Sequence, residues 1–340
     1  MAGTFIITGA AGGLGLALAE NIINRSEGFN CIFTVRNKAA SNAKPLHALV
    51  DATKKEAEIR ELDLSTLDAI RTFAEHINQK VASRQLPPIR ALILNAAVVP
   101  INNQRLYTTI GNNENKLEMS FAVNHLANFL LAMLLLESMD RETGRIVLVS
   151  SHAHDPKGAD MRKYDSEKLA WDLEEISQGK ELPEPGDEGN DVMRRYGMSK
   201  LCQIIFMHAL QRRLNTTPGL DKICVLAVNP GAMVHSNILT KMNPFMRYVA
   251  GPMALGVFTV MSYVKPDGIM RTVAKSAADV ERAALAVNDP KLGKYPKDIY
   301  LDGARLVKPA EDSFNKERQR ELWDVSFKLA GLKESDTALS

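Results

Sequence analysis

Seven short apolar runs, separated by segments long enough to form helices, constrain the fold of this chain more than any other feature. The runs lie at 5–7, 31–35, 57–62, 89–94, 145–149, 223–228 and 298–301, and the one at 57–62, which has three charged residues, is a weaker strand candidate. The predicted helices lie at 14–23, 67–81, 117–139, 198–214 and 313–329. Strands that alternate with helices form right-handed βαβ units, and strands apolar on both sides belong to a covered parallel sheet. We therefore predict an α/β fold, a doubly wound parallel sheet of the Rossmann type in three α/β/α layers.

Two segments interrupt this alternation within a single predicted domain over 1–340. Residues 155–195 are polar and carry Pro-Glu-Pro-Gly at 183–186, which indicates an insertion with a loop tip. Residues 236–279 are apolar and rich in methionine, and we predict a substrate-binding lid there. A C-terminal helix and tail follow at 312–340. Because methionine adapts to irregular shapes, the lid suggests a bulky apolar substrate, although core filling accounts for it equally well.

Composition excludes several classes of protein. The chain has 340 residues, 42 Lys and Arg against 40 Asp and Glu, and a net charge of +2, so it lacks the basic footprint of a nucleic-acid-binding protein. Its three cysteines are Cys31, Cys202 and Cys224, which lie far apart with no histidine at ligand spacing. This argues against zinc and against a disulfide framework, and it favours a reducing, cytoplasmic location.

One uncharged stretch, 248–264, allows three interpretations. It is shorter than the roughly 20 residues of a spanning helix, and two glycines and a proline interrupt it. A buried or lid helix over a pocket is the simplest interpretation. A helix that dips into the cytosolic face of a membrane is the second, and a true membrane span is the third.

A glycine-rich turn at 8–15 follows the first strand and opens the first helix. Thr8, Gly9, Gly13, Leu14 and Gly15 occupy it. Such a turn presents backbone N–H groups and the positive end of the helix to a pyrophosphate, and glycine is required where the backbone approaches the phosphate. The position between strand and helix predicts a dinucleotide site more strongly than the glycines alone.

Arg36 ends the second strand, 21 positions after Gly15, and no acidic residue adjoins it. NAD enzymes usually carry an acidic residue near this point for the ribose 2′-hydroxyl, whereas an arginine accommodates a 2′-phosphate. We therefore predict NADP(H) rather than NAD(H) as the cofactor.

Tyr196 and Lys200 are four residues apart and lie on one face of a predicted helix. A close ammonium lowers the pKa of a phenol, which makes tyrosine usable as an acid or base near neutral pH. Ser151 ends the fifth strand, where a hydroxyl can hydrogen-bond a carbonyl, and no hydrolase motif surrounds it. His152 and His154 follow without a third metal ligand, so we expect no metal.

Together these residues resemble the short-chain dehydrogenases/reductases over about residues 3–235. The turn at 8–15 resembles the cofactor fingerprint of that family, with its glycines at 9, 13 and 15. Further matching residues are Asp63 with Leu64 after the third strand, Asn95 with Ala96 after the fourth, Asn124 in a helix, and the Pro230-Gly231 turn after the sixth. Asn124, Ser151, Tyr196 and Lys200 match the catalytic tetrad. The element around Asn95 departs from the family's Asn-Asn-Ala-Gly pattern at its first and last positions.

The resemblance implies hydride transfer between NADP(H) and a carbonyl or alcohol carbon. Tyr196 is then the acid or base, Lys200 supports it and holds the nicotinamide ribose, and Ser151 orients the carbonyl. Asn124 holds a water that relays protons to Lys200. The insertion before Tyr196 is similar to those of carbonyl-reductase-like and retinol-dehydrogenase-like members. It would cover the face used for tetramers, so we expect a monomer or weak homodimer.

Three functions compete on this fold. The first is an NADPH-dependent ketone or aldehyde reductase, or alcohol dehydrogenase, for a lipophilic small molecule of secondary or lipid metabolism. The second is an isomerase or cyclase that keeps NADP(H) as a structural cofactor, because fold does not determine function. The third is a cofactor-binding sensor. The intact tetrad favours the first.

Overall fold

The computed structural model describes residues 3–99, 105–109, 116–155, 171–181, 183–233, 251–287 and 289–339. In chain order the strands are β1 (Thr4–Ile7), β2 (Asn30–Val35), β3 (Ala57–Glu61), β4 (Ile89–Leu94), β5 (Tyr107–Thr109), β6 (Lys116–Glu118), β7 (Arg145–Val149), β8 (Cys224–Asn229), β9 (Ala232–Met233), β10 (Met270–Arg271), β11 (Ile299–Asp302) and β12 (Arg305–Leu306). The α-helices are α1 (Gly13–Asn24), α2 (Lys44–Ala52), α3 (Leu67–Ala82), α4 (Ala127–Leu135), α5 (Leu173–Gln178), α6 (Glu188–Thr216), α7 (Gly251–Val264), α8 (Val273–Leu285) and α9 (Lys316–Leu329).

One eight-stranded sheet organises the chain, in the order β12-β11-β8-β7-β4-β1-β2-β3. All neighbouring strands in it run parallel except β11 and β12, which form an antiparallel pair. The seven parallel strands are the seven predicted from the sequence, with bounds that agree within one residue. The predicted doubly wound α/β fold is confirmed.

Alternate side chains of each strand enter two separate apolar cores. Ile6 and Ile32 point to one face, where α3, α4, α6 and α9 pack. Phe5 and Phe33 point to the other face, where α1, α2 and α8 pack. A strand buried on both sides needs apolar residues at every position, which explains the continuous apolar runs in the sequence.

The predicted lid at 236–279 needs a revised boundary. Residues 234–250 lie outside the described residues. The segment then contains α7, while residues 273–279 begin α8, whose Ala277, Val280 and Ala284 are buried in the core of the sheet. Because α8 is a layer helix, only the part before Thr272 is available to cover a site.

The predicted insertion at 155–195 also ends earlier than expected. Residues 156–170 and 182 lie outside the described residues. Helix α6, which carries Tyr196 and Lys200, begins at Glu188, ten residues before the predicted start, because buried ion pairs replace apolar contacts in its first turns. Arg105 Nε and Nη2 donate to the two carboxylate oxygens of Asp191 at 2.6 and 2.9 Å, and Arg195 pairs with both Asp191 and Glu175.

The long apolar helix predicted over 117–139 is divided. Strand β6 occupies Lys116–Glu118, a π-helical turn spans Phe121–Leu126, and α4 follows. Among the described residues, Phe121–Ser138 is also the one stretch long and apolar enough to span a membrane. It is 89% buried inside the protein, which is typical of a core helix.

Candidate active site

The glycine turn after β1 is closely packed against the end of β4. Gly9 has φ +67°, and a β-carbon there would lie 2.9 Å from the Cα of Ala96. A β-carbon on Gly15 would lie 2.4 Å from the carbonyl oxygen of Gly9. Gly12 is the N-cap residue of α1, and it has no side chain that could accept hydrogen bonds from the first N–H groups of that helix. The turn therefore requires glycine at 9 and 15 and suits an anion.

Thr8 and Asn95 tie this turn to the sheet. The buried Thr8 hydroxyl accepts hydrogen bonds from the backbone N–H groups of Asn95 and Ala96, at 2.9 and 3.0 Å. In return, Asn95 Nδ2 donates to the carbonyl oxygen of Thr8 at 2.8 Å. Both side chains therefore act by fixing the backbone of the glycine turn, and this role does not require either of them to contact a cofactor.

A cleft of about 280 Å³ opens beside the turn at the carboxyl edge of the sheet. It is lined by Gly9, Ala11, Gly12, Val35, Arg36, Asn42, Asp63, Leu64, Ser65, Ala96, Ala97, Val98, Met119 and Val123. Five residues predicted to bind cofactor, Gly9, Arg36, Asp63, Leu64 and Ala96, thus share one cavity. The other predicted turn residues, Gly13, Leu14 and Gly15, form the first turn of α1.

Arg36 and Asp63 differ in how firmly they are held. Arg36 is exposed at the end of β2 and makes no ion pair with any residue that the structure describes. Asp63 is half-buried, and its Oδ1 accepts hydrogen bonds from the backbone N–H and the hydroxyl of Ser65 at 2.9 and 2.7 Å. The exposed Arg36 guanidinium is therefore available to bind an anion, whereas the Asp63 carboxylate is held in one orientation by Ser65.

Lys200 is buried beneath the carboxyl end of β7. Its Nζ donates to the carbonyl oxygen of Val149 at 2.9 Å and to Gln203 Oε1 at 3.1 Å, and it lies 5.7 Å from the centre of the Tyr196 ring. Burial lowers the pKa of Lys200 to about 7, because an ammonium loses hydration there. Tyr196 itself is half-buried on the same helix, one turn earlier.

Asn124 lies in the π-helical turn and is completely buried. Its side chain bonds both backbone groups of Val98 and donates to Ser199 Oγ at 3.0 Å. Its backbone carbonyl accepts from Asn128 Nδ2 and from Gln203 Nε2, each at 2.7 Å. Both lone pairs of that carbonyl are used, so the water predicted from the resemblance finds no free acceptor there.

Ser151 lies two residues after the end of β7, in a turn that packs against α6. Its Oγ accepts from the N–H of Ala153 at 3.2 Å. His154, which is buried, holds the carbonyl oxygen of Ser151 through Nδ1 at 2.7 Å and accepts from the N–H of Ala310 through Nε2 at 3.1 Å. Because Nε2 accepts, the proton is on Nδ1, and the ring is a neutral structural link rather than a metal ligand. No metal-binding cluster occurs among the residues described here.

Pro230 and Gly231 form the turn after β8. Gly231 has φ +77°, and its N–H donates to Asn229 Oδ1 at 3.1 Å. The hydroxyl of Ser276 in α8 donates to the carbonyl oxygen of Pro230 at 2.6 Å. The turn is therefore anchored to the layer helix α8.

The structure brings the predicted residues together in two groups: the cleft beside the glycine turn, and the buried centre around Lys200. Sequence reasoning missed Gln203 and Asn128, which complete that centre. Gln203 lies three positions after Lys200 on one helix, so helical spacing alone could have indicated the pair. Ser65 and Asn42 of the cleft belong to no motif.

The comparisons with known proteins agree on one family. The family described as "short chain dehydrogenase" matches residues 3–173. The chain is 34% identical to the short-chain dehydrogenase iccH of Talaromyces variabilis, over 99% of this chain and 98% of that protein. It is 28% identical to the protochlorophyllide reductase of Avena sativa, over 96% and 99% of the two chains.

Solved structures support the same fold. The NADPH-bound carbonyl reductase from chicken fatty liver superposes with a TM-score of 0.57 at 16% identity, over 89% of this chain and 98% of that one. The angucycline C-6 ketoreductase LanV, with bound NADP, superposes with a TM-score of 0.56 at 19% identity, over 89% and 95%. With the family match over half the chain and a relative above 30% identity along its whole length, the protein belongs to the short-chain dehydrogenase family of oxidoreductases.

Proposed function

We propose that this protein is an NADP(H)-dependent reductase of ketones or aldehydes, acting on a lipophilic small molecule with Tyr196 as the acid. The observation that carries the proposal is the proximity of Tyr196 to the buried Lys200 on α6. Lys200 Nζ contacts the last residue of β7, Val149, two positions before Ser151. In an α/β sheet the edge at the carboxyl ends of the strands is where ligands bind.

The residues of the cleft suit NADP(H). Gly9 and Gly15 leave no room for a β-carbon, so the backbone at the start of α1 can approach a pyrophosphate. Arg36 offers a guanidinium that pairs with no acidic side chain of the described residues, and it suits a 2′-phosphate. Asp63 offers an oriented carboxylate for the adenine side. Two of the similar solved structures are described with bound NADPH or NADP, which supports the same choice.

When bound, the cofactor supplies the hydride, and the chain supplies position and protons. The Tyr196 hydroxyl donates its proton to the carbonyl oxygen of the substrate as negative charge develops there. The Lys200 ammonium stabilises the phenolate that remains. The Ser151 hydroxyl donates a hydrogen bond to the same oxygen and orients the carbonyl.

The proposed substrate class rests on the predicted lid and on the names of similar proteins. Helix α7, within the predicted lid, has no charged residue. A related protein is named a dehydrogenase, and a similar solved structure is named a ketoreductase. An apolar cover favours a lipophilic substrate, because it removes apolar surface of the substrate from water. We place the enzyme in secondary or lipid metabolism on this basis.

The end of α7 also exposes apolar side chains. Val260, Tyr263 and Val264 are 62%, 75% and 71% exposed. We propose that the protein is cytoplasmic, a monomer or weak homodimer, and that this end of α7 makes peripheral contact with a membrane. Flotation with lipid vesicles should carry the protein upward, and Val260→Ser with Val264→Ser should abolish flotation. Sedimentation of the lipid-free protein measures its oligomeric state.

The test of the proposed function uses purified protein with a panel of lipophilic ketones, aldehydes and quinones, and follows both NADPH absorbance and product mass. We expect products two hydrogens heavier, formed with NADPH, and none with Tyr196→Phe. Binding of NADPH to Tyr196→Phe serves as the folding control. An isomer of unchanged mass, formed without NADPH consumption, would establish the isomerase or cyclase alternative instead.

A further inference from the structure

Gln203 lies between the two buried groups at the centre of the site. Its Oε1 accepts from Lys200 Nζ at 3.1 Å, and its Nε2 donates to the backbone carbonyl oxygen of Asn124 at 2.7 Å. All three residues are at least 98% buried, so water does not compete for these hydrogen bonds.

The orientation of this carboxamide is determined by its neighbours. A backbone carbonyl only accepts hydrogen bonds, and an ammonium only donates them. Nε2 must therefore face Asn124, and Oε1 must face Lys200. The reverse orientation would place two acceptors together at Asn124 and two donors together at Lys200.

Gln203 also connects Asn124 with Lys200, the connection that the family resemblance assigns to a water. Asn128 and Gln203 use both lone pairs of the Asn124 carbonyl. A carboxamide holds its partners in place but has no ionisable proton to pass on. The Gln203 side chain therefore positions Lys200, whereas a water in its place would connect Lys200 to a proton relay.

We propose that Gln203 is a positioning residue that holds Lys200 in place and in its ammonium form. The role of that ammonium in turnover rests on the proposed function, whereas its protonation in the free protein does not. Few other groups among the described residues stabilise the positive charge of Lys200. Lys200 faces the carbonyl of Val149 from β7 and the ring of Tyr196 from its own helix, and no charged side chain of the described residues shifts its pKa.

Direct titration of Lys200 tests the proposal without substrate or cofactor. Protein labelled with carbon-13 at the ε-carbon of lysine gives one signal per lysine, and the signal lost in Lys200→Met is that of Lys200. The wild-type signal should titrate near pH 7, because burial lowers the pKa of Lys200 to about 7.

Gln203→Met keeps the size of the side chain and removes the acceptor. We expect the pKa of Lys200 to fall by about one further pH unit, since a buried ammonium loses one of two acceptors. Gln203→Glu keeps an acceptor and adds a negative charge, so it should move the pKa upward. Opposite shifts from two side chains of similar size would not arise from loosened packing.

Gln211→Met is the matched control. Gln211 lies on the same helix, about 16 Å from Lys200 along the axis, and is equally buried. Its carboxamide also makes hydrogen bonds from both ends, here to the backbone carbonyl of Ile223 and the backbone N–H of Val225. Gln211→Met should lower the melting temperature by about as much as Gln203→Met. It should leave the pKa of Lys200 unchanged.

Two results would overturn the proposal: a Lys200 pKa that is the same in wild type, Gln203→Met and Gln203→Glu, or an equal shift in Gln211→Met. If Gln203→Met does not fold, the upward shift in Gln203→Glu decides the question. If the titrations behave as expected but no carbonyl probe is reduced, the proposed function fails while the positioning role stands.

Discussion

A β-carbon on Gly197 would lie 2.6 Å from the backbone carbonyl oxygen of Ala153, closer than carbon and oxygen pack in proteins. Gly197 follows Tyr196, and Ala153 lies two residues after Ser151. The absence of a side chain at 197 therefore sets how closely α6 approaches the turn that carries Ser151. The distance between the two hydroxyl groups proposed to hold the carbonyl oxygen depends on this contact.

Gly197→Ala should separate α6 from that turn and reduce turnover about 100-fold, the effect of roughly a 1 Å misplacement of reacting groups. Steady-state kinetics on a carbonyl substrate checks this. Gly144→Ala is the control, because a β-carbon there would lie 2.4 Å from the carbonyl oxygen of Asp140, at the opposite edge of the sheet. It should lower stability and leave turnover per folded molecule unchanged. Equal turnover in both variants would contradict the assignment.

Arg36→Glu should weaken the binding of NADPH about 10- to 100-fold and affect NADH much less, because only NADPH carries the 2′-phosphate. Titration calorimetry with both cofactors measures the two dissociation constants. Arg141→Glu makes the same charge reversal on an exposed residue at the far edge of the sheet and should leave both constants unchanged. Equal losses for NADPH and NADH in Arg36→Glu would remove Arg36 from this role.

His154 should make the stability of the protein depend on pH. Burial lowers the pKa of His154 to about 4, whereas a histidine in the unfolded chain titrates near 6.5. The unfolded state therefore binds the extra proton between these values, and the free energy of unfolding falls by about 2 kcal/mol from pH 7 to pH 5 through this group.

Urea unfolding at a series of pH values tests this. His154→Gln should show a shallower pH dependence over pH 5–7 than the wild type, even though it loses hydrogen bonds to Ser151 and Ala310. His47→Gln, which removes a half-buried histidine outside both apolar cores, should retain the wild-type slope. A slope that is unchanged in His154→Gln would mean that His154 is already charged in the folded protein.

Apolar periodicity predicted the sheet because burial on both faces leaves a strong local pattern. The same reasoning failed where other forces determine structure. The first turns of α6 are held by Arg195, Asp191 and Glu175, and a buried ion-pair cluster has the same local sequence as an exposed polar loop. The predicted lid extends to 279 and so includes the first residues of α8, because the buried face of that helix is built from small residues such as Ala277 and Ala284, which give a weak apolar signal.

The candidate site divides in the same way. The glycine turn, Tyr196 and Lys200 belong to motifs with fixed spacing, so they could be found in the sequence. The hydrogen bond from Gln203 to the Asn124 carbonyl could not, since it depends on α6 and the π-helical turn lying within hydrogen-bonding distance, 75 or more residues apart in the chain. Such contacts exist only after the chain has folded.

The bonds between Thr8 and Asn95 have a consequence for the kinetics with which the proposed cofactor would exchange. They rigidify the glycine turn in the free protein, so little backbone entropy remains to be lost when a dinucleotide arrives. A preorganised loop of this kind binds without a slow ordering step, and the association rate is then limited by encounter. Differences in affinity among cofactors should consequently be expressed as differences in residence time.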